Sequence, residues 1–322
     1  MSKLPIMRPC TVLLLGILLL SACQTGDEHS VQSPDGKVRV RILIEDGKPF
    51  YAVSYQGEEV IRPSALGMVF QGADTLSKEL ELLAVETSTK DETWEQAWGA
   101  SQFVRDHHSE IILHMQQQNG RKWDLIFRAF DDGIGFRYLL PEQEGLDDFV
   151  IMDELTEFTL AGSHRAWWIG AYQHERYEYW FENSPVNEMD TVHTPLTMET
   201  EGGLFISIHE ANLTEYASMC LAAQGGNVLK CDLAPWSDGT KVKTSTPMQT
   251  PWRTIQIAED AGGLVGSSLI LNLNEANQMG EPDWVKPTKY LGIWWGMHIS
   301  KYTFWQGPDH GATTERSLAY ID

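Results

Sequence analysis

Basic residues are scarce in this chain of 322 residues: 24 Lys and Arg stand against 45 Asp and Glu, a formal net charge of −21. A surface so acidic repels phosphate backbones and excludes nucleic acid as a partner. It suits neutral ligands and hard cations, and it is also simply a route to solubility. Zinc-type spacing is absent. The densest group of ligand-type residues, Asp91, Glu92 and Glu95 with Asp106, His107 and His108, has no thiolate beside it, and a solvated turn is its expected setting. Long apolar runs are confined to the first residues, so no later segment reaches the roughly twenty apolar residues of a membrane span. Residues 31–275 show neither a strongly amphipathic helical period nor a repeat at fixed spacing.

The first residues read as an address. Lys3 and Arg8 form a basic start, residues 11–20 an apolar core, and Leu20-Ser21-Ala22-Cys23 has the form of a bacterial lipobox. The expectation is a lipoprotein signal over residues 1–22, a lipid on Cys23, and residues 23–32 as a flexible tether. An anchored lipoprotein of a Gram-negative cell envelope, periplasmic or on the outer membrane, would touch the membrane through its lipid alone. An ordinary signal peptide with an incidental cysteine is the alternative.

Cysteine is equally scarce, 4 in all, and setting aside Cys10 and Cys23 leaves Cys220 and Cys231. If Gly225-Gly226 is a two-residue turn, the two fall opposite each other on paired strands, at a Cα spacing of about 5.5 Å that a disulfide can span. Two buried or half-buried thiols are the alternative.

What is present is strand after strand. Residues 37–45 alternate, with Val38, Val40, Ile42 and Ile44 on one face. Asp46-Gly47 turns the chain into residues 49–56, and Asn119-Gly120 joins residues 110–116 to 121–130. Residues 134–140, 204–209, 215–221, 228–233, 254–258 and 268–273 continue the pattern. Short strands on tight turns without intervening helices predict antiparallel sheets packed face to face over residues 33–275. Residues 276–288 have linker composition.

Three groups in this region could carry chemistry. Glu210, beside His209 at a strand end, could serve a hard cation. Calcium takes six to eight oxygens, however, and by itself the residue reads as a surface carboxylate. Trp167, Trp168, Tyr172, His174, Tyr177, Tyr179, Trp180 and Phe181 form an aromatic concentration that suits sugar rings or, more simply, packing against a neighbouring domain. The acidic and histidine group at residues 91–108 is the third.

The last stretch, residues 289–322, differs in kind. Tyr290-Leu291-Gly292-Ile293-Trp294-Trp295 predicts a strand buried on both faces. A polar loop with His298, Lys301, Tyr302, Trp305 and His310 follows. Thr313 or Thr314 then caps a helix with Glu315 in its first turn and Leu318 and Ile321 on one face. Strand, loop and helix make the first unit of a β/α fold. Such a unit cannot bury its own strand, so the chain reads as the front part of a longer protein.

Residues 289–298 (KYLGIWWGMH), Lys301-Tyr302-Thr303 and Gly311-Ala312-Thr313-Thr314-Glu315 resemble the start of the catalytic barrel of glycoside hydrolase family 97, bacterial α-glucosidases and α-galactosidases. The resemblance runs back through Asp91-Glu92-Thr93-Trp94, residues 127–133 (FRAFDDG), residues 153–158 (DELTEF), Thr194-Pro195-Leu196-Thr197, His209-Glu210-Ala211 and residues 250–255 (TPWRTI). It implies a mainly β fold: a large antiparallel β-super-sandwich similar to galactose mutarotase, followed by the start of a (β/α)8 barrel. It also implies an oligosaccharide substrate and a calcium ion held by several carboxylates. Glu210 looks like the one contributed from the N-terminal domain. Trp295 and His298, at the end of the first barrel strand, would line the sugar pocket. The family's pair of catalytic carboxyl groups belongs to later barrel strands, so no residue here is assigned that role. A non-catalytic carbohydrate-binding or interaction domain is the alternative function.

Overall fold

The computed structural model describes residues 27–72, 75–96, 98–173, 179–280, 284–286 and 288–321. Lys3, Arg8, the lipobox and Cys23 lie outside them. The chain divides into two compact units after Glu275, where the linker composition begins.

Among the described residues the first unit forms three antiparallel sheets. One runs, neighbour to neighbour, Asp27–Gln32, Val38–Glu45, Lys48–Tyr55, Glu58–Ala65, Glu157–Leu160, Val228–Leu233, Met219–Ala223 and Thr191–His193. The second runs Glu182–Pro185, Arg165–Trp168, Leu196–Glu199, Phe205–Ala211, Trp252–Ala258, Gly133–Leu140, Lys122–Phe130, Phe103–Gln117 and Leu80–Glu95. The third is small: Val242–Thr244, Phe149–Glu154, Met68–Phe70 and Thr75–Leu76. The first two pack face to face. Tyr51 of the first sheet lies 4.7 Å from Phe136 and 5.9 Å from Phe127 of the second, ring centre to ring centre. Its hydroxyl is not stranded, because it donates to the Glu157 carbonyl at 2.8 Å. The alternation seen over residues 37–45 drives this: Val38, Val40 and Ile42 are fully buried while the residues between them face out.

Four expectations for this unit need correction. Residues 27–32, expected as part of a tether, form a strand paired in register from Asp27↔Ile44 to Gln32↔Arg39. Val31 contributes to the core, so the sheet claims these residues. Residues 268–273, expected as a strand, include the helix Leu269–Asn272 on the outer face of the second sheet. Leu269 and Leu273, four apart on one helical face, seal Ile126, Phe130 and Trp252. Asn272 donates to the Arg105 carbonyl and accepts from the Trp94 indole, 2.9 Å each. Two glycines permit the close approach: a Cβ on Gly135 would lie 2.5 Å from Leu273, and one on Gly133 (φ +142°) only 2.2 Å from the Ile255 carbonyl oxygen.

The group at residues 91–108 is not a solvated turn. It lies in the long hairpin Leu80–Glu95/Phe103–Gln117, and strand alternation turns Asp106 and His108 inward with Val104. Asp106 bonds His108 Nδ1 at 2.7 Å and Lys90 at 2.9 Å.

Cys220 and Cys231 are free thiols. Their hairpin closes through Gln224 and Val228 around Gly225, Gly226 and Asn227, one residue more than a two-residue turn, with both glycines in the left-handed region. That single residue shifts the register: Cys220 faces Asp232 and Cys231 faces Leu221. A one-residue slip sends paired side chains to opposite faces, which removes the disulfide geometry. Burial pushes the Cys220 thiol up to about 11 and the Cys231 thiol well above its ordinary value.

In the second unit, residues 290–295 are not a strand. Tyr290 is 89% and Trp295 70% exposed, and the chain turns at Ile293-Trp294 into a helical turn, Trp295–His298. A parallel strand needs partners for its backbone on both sides. Among the described residues none pairs with this run, and the turn satisfies its own groups instead, with Met297 and His298 amides donating to the Trp294 carbonyl. The helix Thr314–Ile321 is present as expected, capped by Thr313, whose hydroxyl accepts from the Arg316 amide at 3.3 Å.

Candidate functional site

The strand Phe205–Ala211 runs antiparallel to Trp252–Ala258 in a register that sets Glu210 directly across from Arg253. Side chains of such a pair share one face, so guanidinium and carboxylate meet without distortion. Arg253 Nη1 donates to Glu210 Oε2 at 2.7 Å. The remaining prongs of the guanidinium go to Glu154, at the end of Phe149–Glu154: Nε to Oε1 at 2.8 Å and Nη2 to Oε2 at 2.5 Å. This is the two-pronged fork geometry that favours Arg over Lys. Glu154 also accepts from Thr156 Oγ1 at 2.8 Å and from the Tyr216 hydroxyl at 3.2 Å. Glu210 Oε1 accepts from the Met219 amide at 3.0 Å.

All three charged side chains are buried. Arg253 and Glu154 are fully enclosed and Glu210 is 7% exposed. One guanidinium faces two carboxylates, so the cluster carries a surplus negative charge. Its distribution follows the bonding. Burial alone would raise Glu154, but the charge and bonds of Arg253 outweigh burial and hold its carboxyl below the usual range. Glu210 receives only one prong, and there burial wins, pushing its carboxyl up. Glu210 is therefore the least compensated carboxylate and the one nearest solvent, where a cation or a proton would settle. His209 points to the other face, its Nδ1 3.0 Å from Thr194 Oγ1, and burial followed by the Arg253 charge lowers its pKa.

Calcium takes six to eight oxygens. Among the described residues no three His, Cys, Asp or Glu side chains cluster so as to hold a metal ion. Glu210 fits as one ligand and not as a site. Trp295 and His298 lie at the two ends of one helical turn, both exposed. His298 makes its ring contacts with Trp294, at 6.3 Å, and Phe304, at 5.3 Å.

Of the aromatic group, Trp167 stacks on Phe205 at 6.4 Å and Trp168 donates to Ser184 at 3.1 Å, whereas Trp180 is 92% exposed. His174 and Tyr177 lie outside the described residues. Sequence reasoning had passed over Arg253 and Glu154 as members of the site. The available signal was an Arg between Trp252 and Ile255 in a largely buried strand composition, WRTIQIA, since a buried Arg must find a carboxylate.

Residues 31–276 match the family model described as Glycosyl-hydrolase 97 N-terminal. A glycoside hydrolase family 97 enzyme from Pseudoalteromonas sp. strain K8, solved in complex with acarbose, superposes with a TM-score of 0.84 at 44% identity, over 91% of this chain and 45% of that one. The same enzyme has been solved with panose as an E480Q variant, also at 44% identity. A retaining alpha-galactosidase of Bacteroides thetaiotaomicron is 23% identical over 90% of this chain and 47% of its own length. The chain thus spans about half the length of the relatives it matches. A beta-arabinopyranosidase at 22% identity and a TM-score of 0.67 shares the fold. On the match over residues 31–276, the chain belongs to glycoside hydrolase family 97 and carries that family's N-terminal domain.

Proposed function

We propose that this chain is the N-terminal portion of a calcium-dependent, exo-acting α-glycosidase that releases terminal sugars from oligosaccharides, and that these 322 residues hydrolyse nothing by themselves. The observation that carries the reading is Glu210: a buried carboxylate at a strand end, partly compensated, inside a family 97 sandwich. An α-glucoside is favoured over an α-galactoside, because the relative at 44% identity binds acarbose and panose while the galactosidase stands at 23%.

The residues of this chain have separable tasks. Glu154 fixes the Arg253 guanidinium with two parallel bonds, and Arg253 and the Met219 amide then fix the two oxygens of Glu210. Glu210 is the ligand this domain offers to calcium, which when bound supplies Lewis-acid polarisation of a sugar oxygen. Trp295 offers an aromatic face to a sugar ring and His298 a hydrogen bond to a hydroxyl. The protein is tethered to the cell envelope through a lipid on Cys23.

The test is turnover of nitrophenyl α-glucoside and α-galactoside by the purified chain, beside calcium affinity of the reading frame continued past Asp322. The chain should show no turnover, and Glu210→Gln in the longer product should weaken calcium binding at least tenfold. Undiminished calcium affinity of that variant removes Glu210 from the site.

A further inference from the structure

The first unit holds a cavity of about 400 Å³ lined by Glu215, Tyr216, Trp236, Lys241, Val242 and Lys243. That volume lies within the roughly 300–1,000 Å³ of small-molecule sites. The loop after Phe205–Ala211 forms one wall. Glu215 adopts a left-handed conformation (φ 51°), uncommon for a residue with a side chain, and Tyr216 follows it in the wall. The Tyr216 hydroxyl is spent on Glu154 and its ring lies 5.7 Å from the Arg253 guanidinium, so the half-buried ring presents only its remaining surface to the cavity.

Trp236 also lines the cavity. It sits at the neck of a tight turn, with its amide donating to the Thr240 carbonyl at 2.7 Å and its own carbonyl accepting from Gly239 at 2.9 Å. Asp238 locks that turn by accepting from the Thr240 amide and hydroxyl, at 3.0 and 2.6 Å. The backbone of Trp236 is therefore fixed while its side chain is 63% exposed. An indole held on a fixed turn offers a preorganised stacking surface to a flat apolar face.

The two lysines decide the ligand's charge. Lys241 bonds Asp232 at 3.3 Å and also the Leu233 carbonyl. Lys243 bonds Asp238 at 2.6 Å, with its ammonium 5.9 Å from the Trp236 ring centre. Each ammonium is already matched by a carboxylate, and Glu215 adds a further negative charge. A phosphate or carboxylate ligand would find no free cation here. A neutral molecule with a flat apolar face and a rim of hydroxyls would find aromatic walls and, on the lysines and Glu215, groups to donate to and accept from its hydroxyls.

We propose that this cavity is a second carbohydrate-binding site, holding a neutral pyranose of an oligosaccharide against Trp236 and Tyr216, with a lining drawn from the first unit alone. The proposal rests on the reading that oligosaccharides are this protein's ligands, but it is tested without turnover, so either can fail alone. Isothermal titration of the 322-residue chain with maltose, and with melibiose as the galactose-bearing probe, should give saturable binding with a dissociation constant on the order of 1 mM. Trp236→Ala should weaken it at least tenfold with an unchanged thermal melt, since the side chain packs on little. Trp295→Ala should leave it unchanged, and inorganic phosphate should not compete. Absence of saturable binding, retention of binding by Trp236→Ala, or its loss in Trp295→Ala would each overturn the site.

Discussion

Replacing Arg253 by Met removes the cation bonded to two buried carboxylates, Glu154 and Glu210. In the native cluster a guanidinium offsets two carboxylates and leaves one charge in surplus; in Arg253→Met both charges remain with nothing opposite. Breaking a buried ion pair from one side costs about 3–5 kcal/mol, a large part of the roughly 5–15 kcal/mol that holds a domain folded. With a urea dependence near the upper end of about 1–3 kcal/mol per molar, the midpoint of unfolding should fall by roughly 1–2 M. Glu154→Gln should cost less, because Arg253 keeps Glu210 as partner. Glu210→Gln should cost least, about 1–2 kcal/mol: it deletes the surplus charge, but its single amide oxygen keeps only one of the Met219 and Arg253 bonds. Urea titrations of the three variants, followed by far-ultraviolet circular dichroism, measure the order. Equal losses for Glu210→Gln and Arg253→Met would refute the reasoning, since the surplus charge would then be no surplus at all.

Other consequences can be measured on the same protein. Burial alone would raise Asp106, but His108 and Lys90 hold its carboxyl below 3.8. A depressed folded value contributes stability that is present above the ordinary value and lost as pH falls through the folded one. Asp106→Asn should therefore destabilise the protein more at pH 7 than at pH 3, as read from thermal melts; an equal loss at both would contradict the ion-pair account. A reductant should leave the melting temperature unchanged, because Cys220 and Cys231 face opposite sides of their hairpin, and both thiols should react with a thiol reagent only after unfolding. Gly133→Ala should cost more than about 2 kcal/mol, since the added carbon meets a backbone carbonyl at 2.2 Å and the φ of +142° disfavours any side chain. A near-native melt for that variant would mean the sheet relaxes more easily than its packing implies.

Much of the sandwich was legible because strand alternation is local. Val38, Val40 and Ile42 announce a half-buried strand whatever lies elsewhere in the chain. What misled was always a matter of partners. Residues 268–273 hold enough apolar character for a strand, and only the Trp94 indole and the Arg105 carbonyl, over a hundred positions away, reveal why Asn272 sits in a helix. The Cys220 hairpin turned on whether Gly225-Gly226 alone formed the loop, a difference of one residue that composition does not resolve. The run 290–295 has strand composition, yet composition does not supply neighbours. At the site, Glu210 was reachable through family resemblance. Arg253 and Glu154 lie within the stretches 250–255 and 153–158 that carry the resemblance but acquire meaning only when the register sets Arg253 across from Glu210 and the small sheet delivers Glu154 behind it.

The most direct measurement is release of nitrophenol from the α-glucoside by the purified 322-residue chain, with and without calcium, beside the product of the reading frame continued past Asp322. The account predicts no release by the shorter chain, and release by the longer one that chelation abolishes and added calcium restores. Hydrolysis by the 322 residues alone, or by the longer product in the presence of chelator, would contradict it.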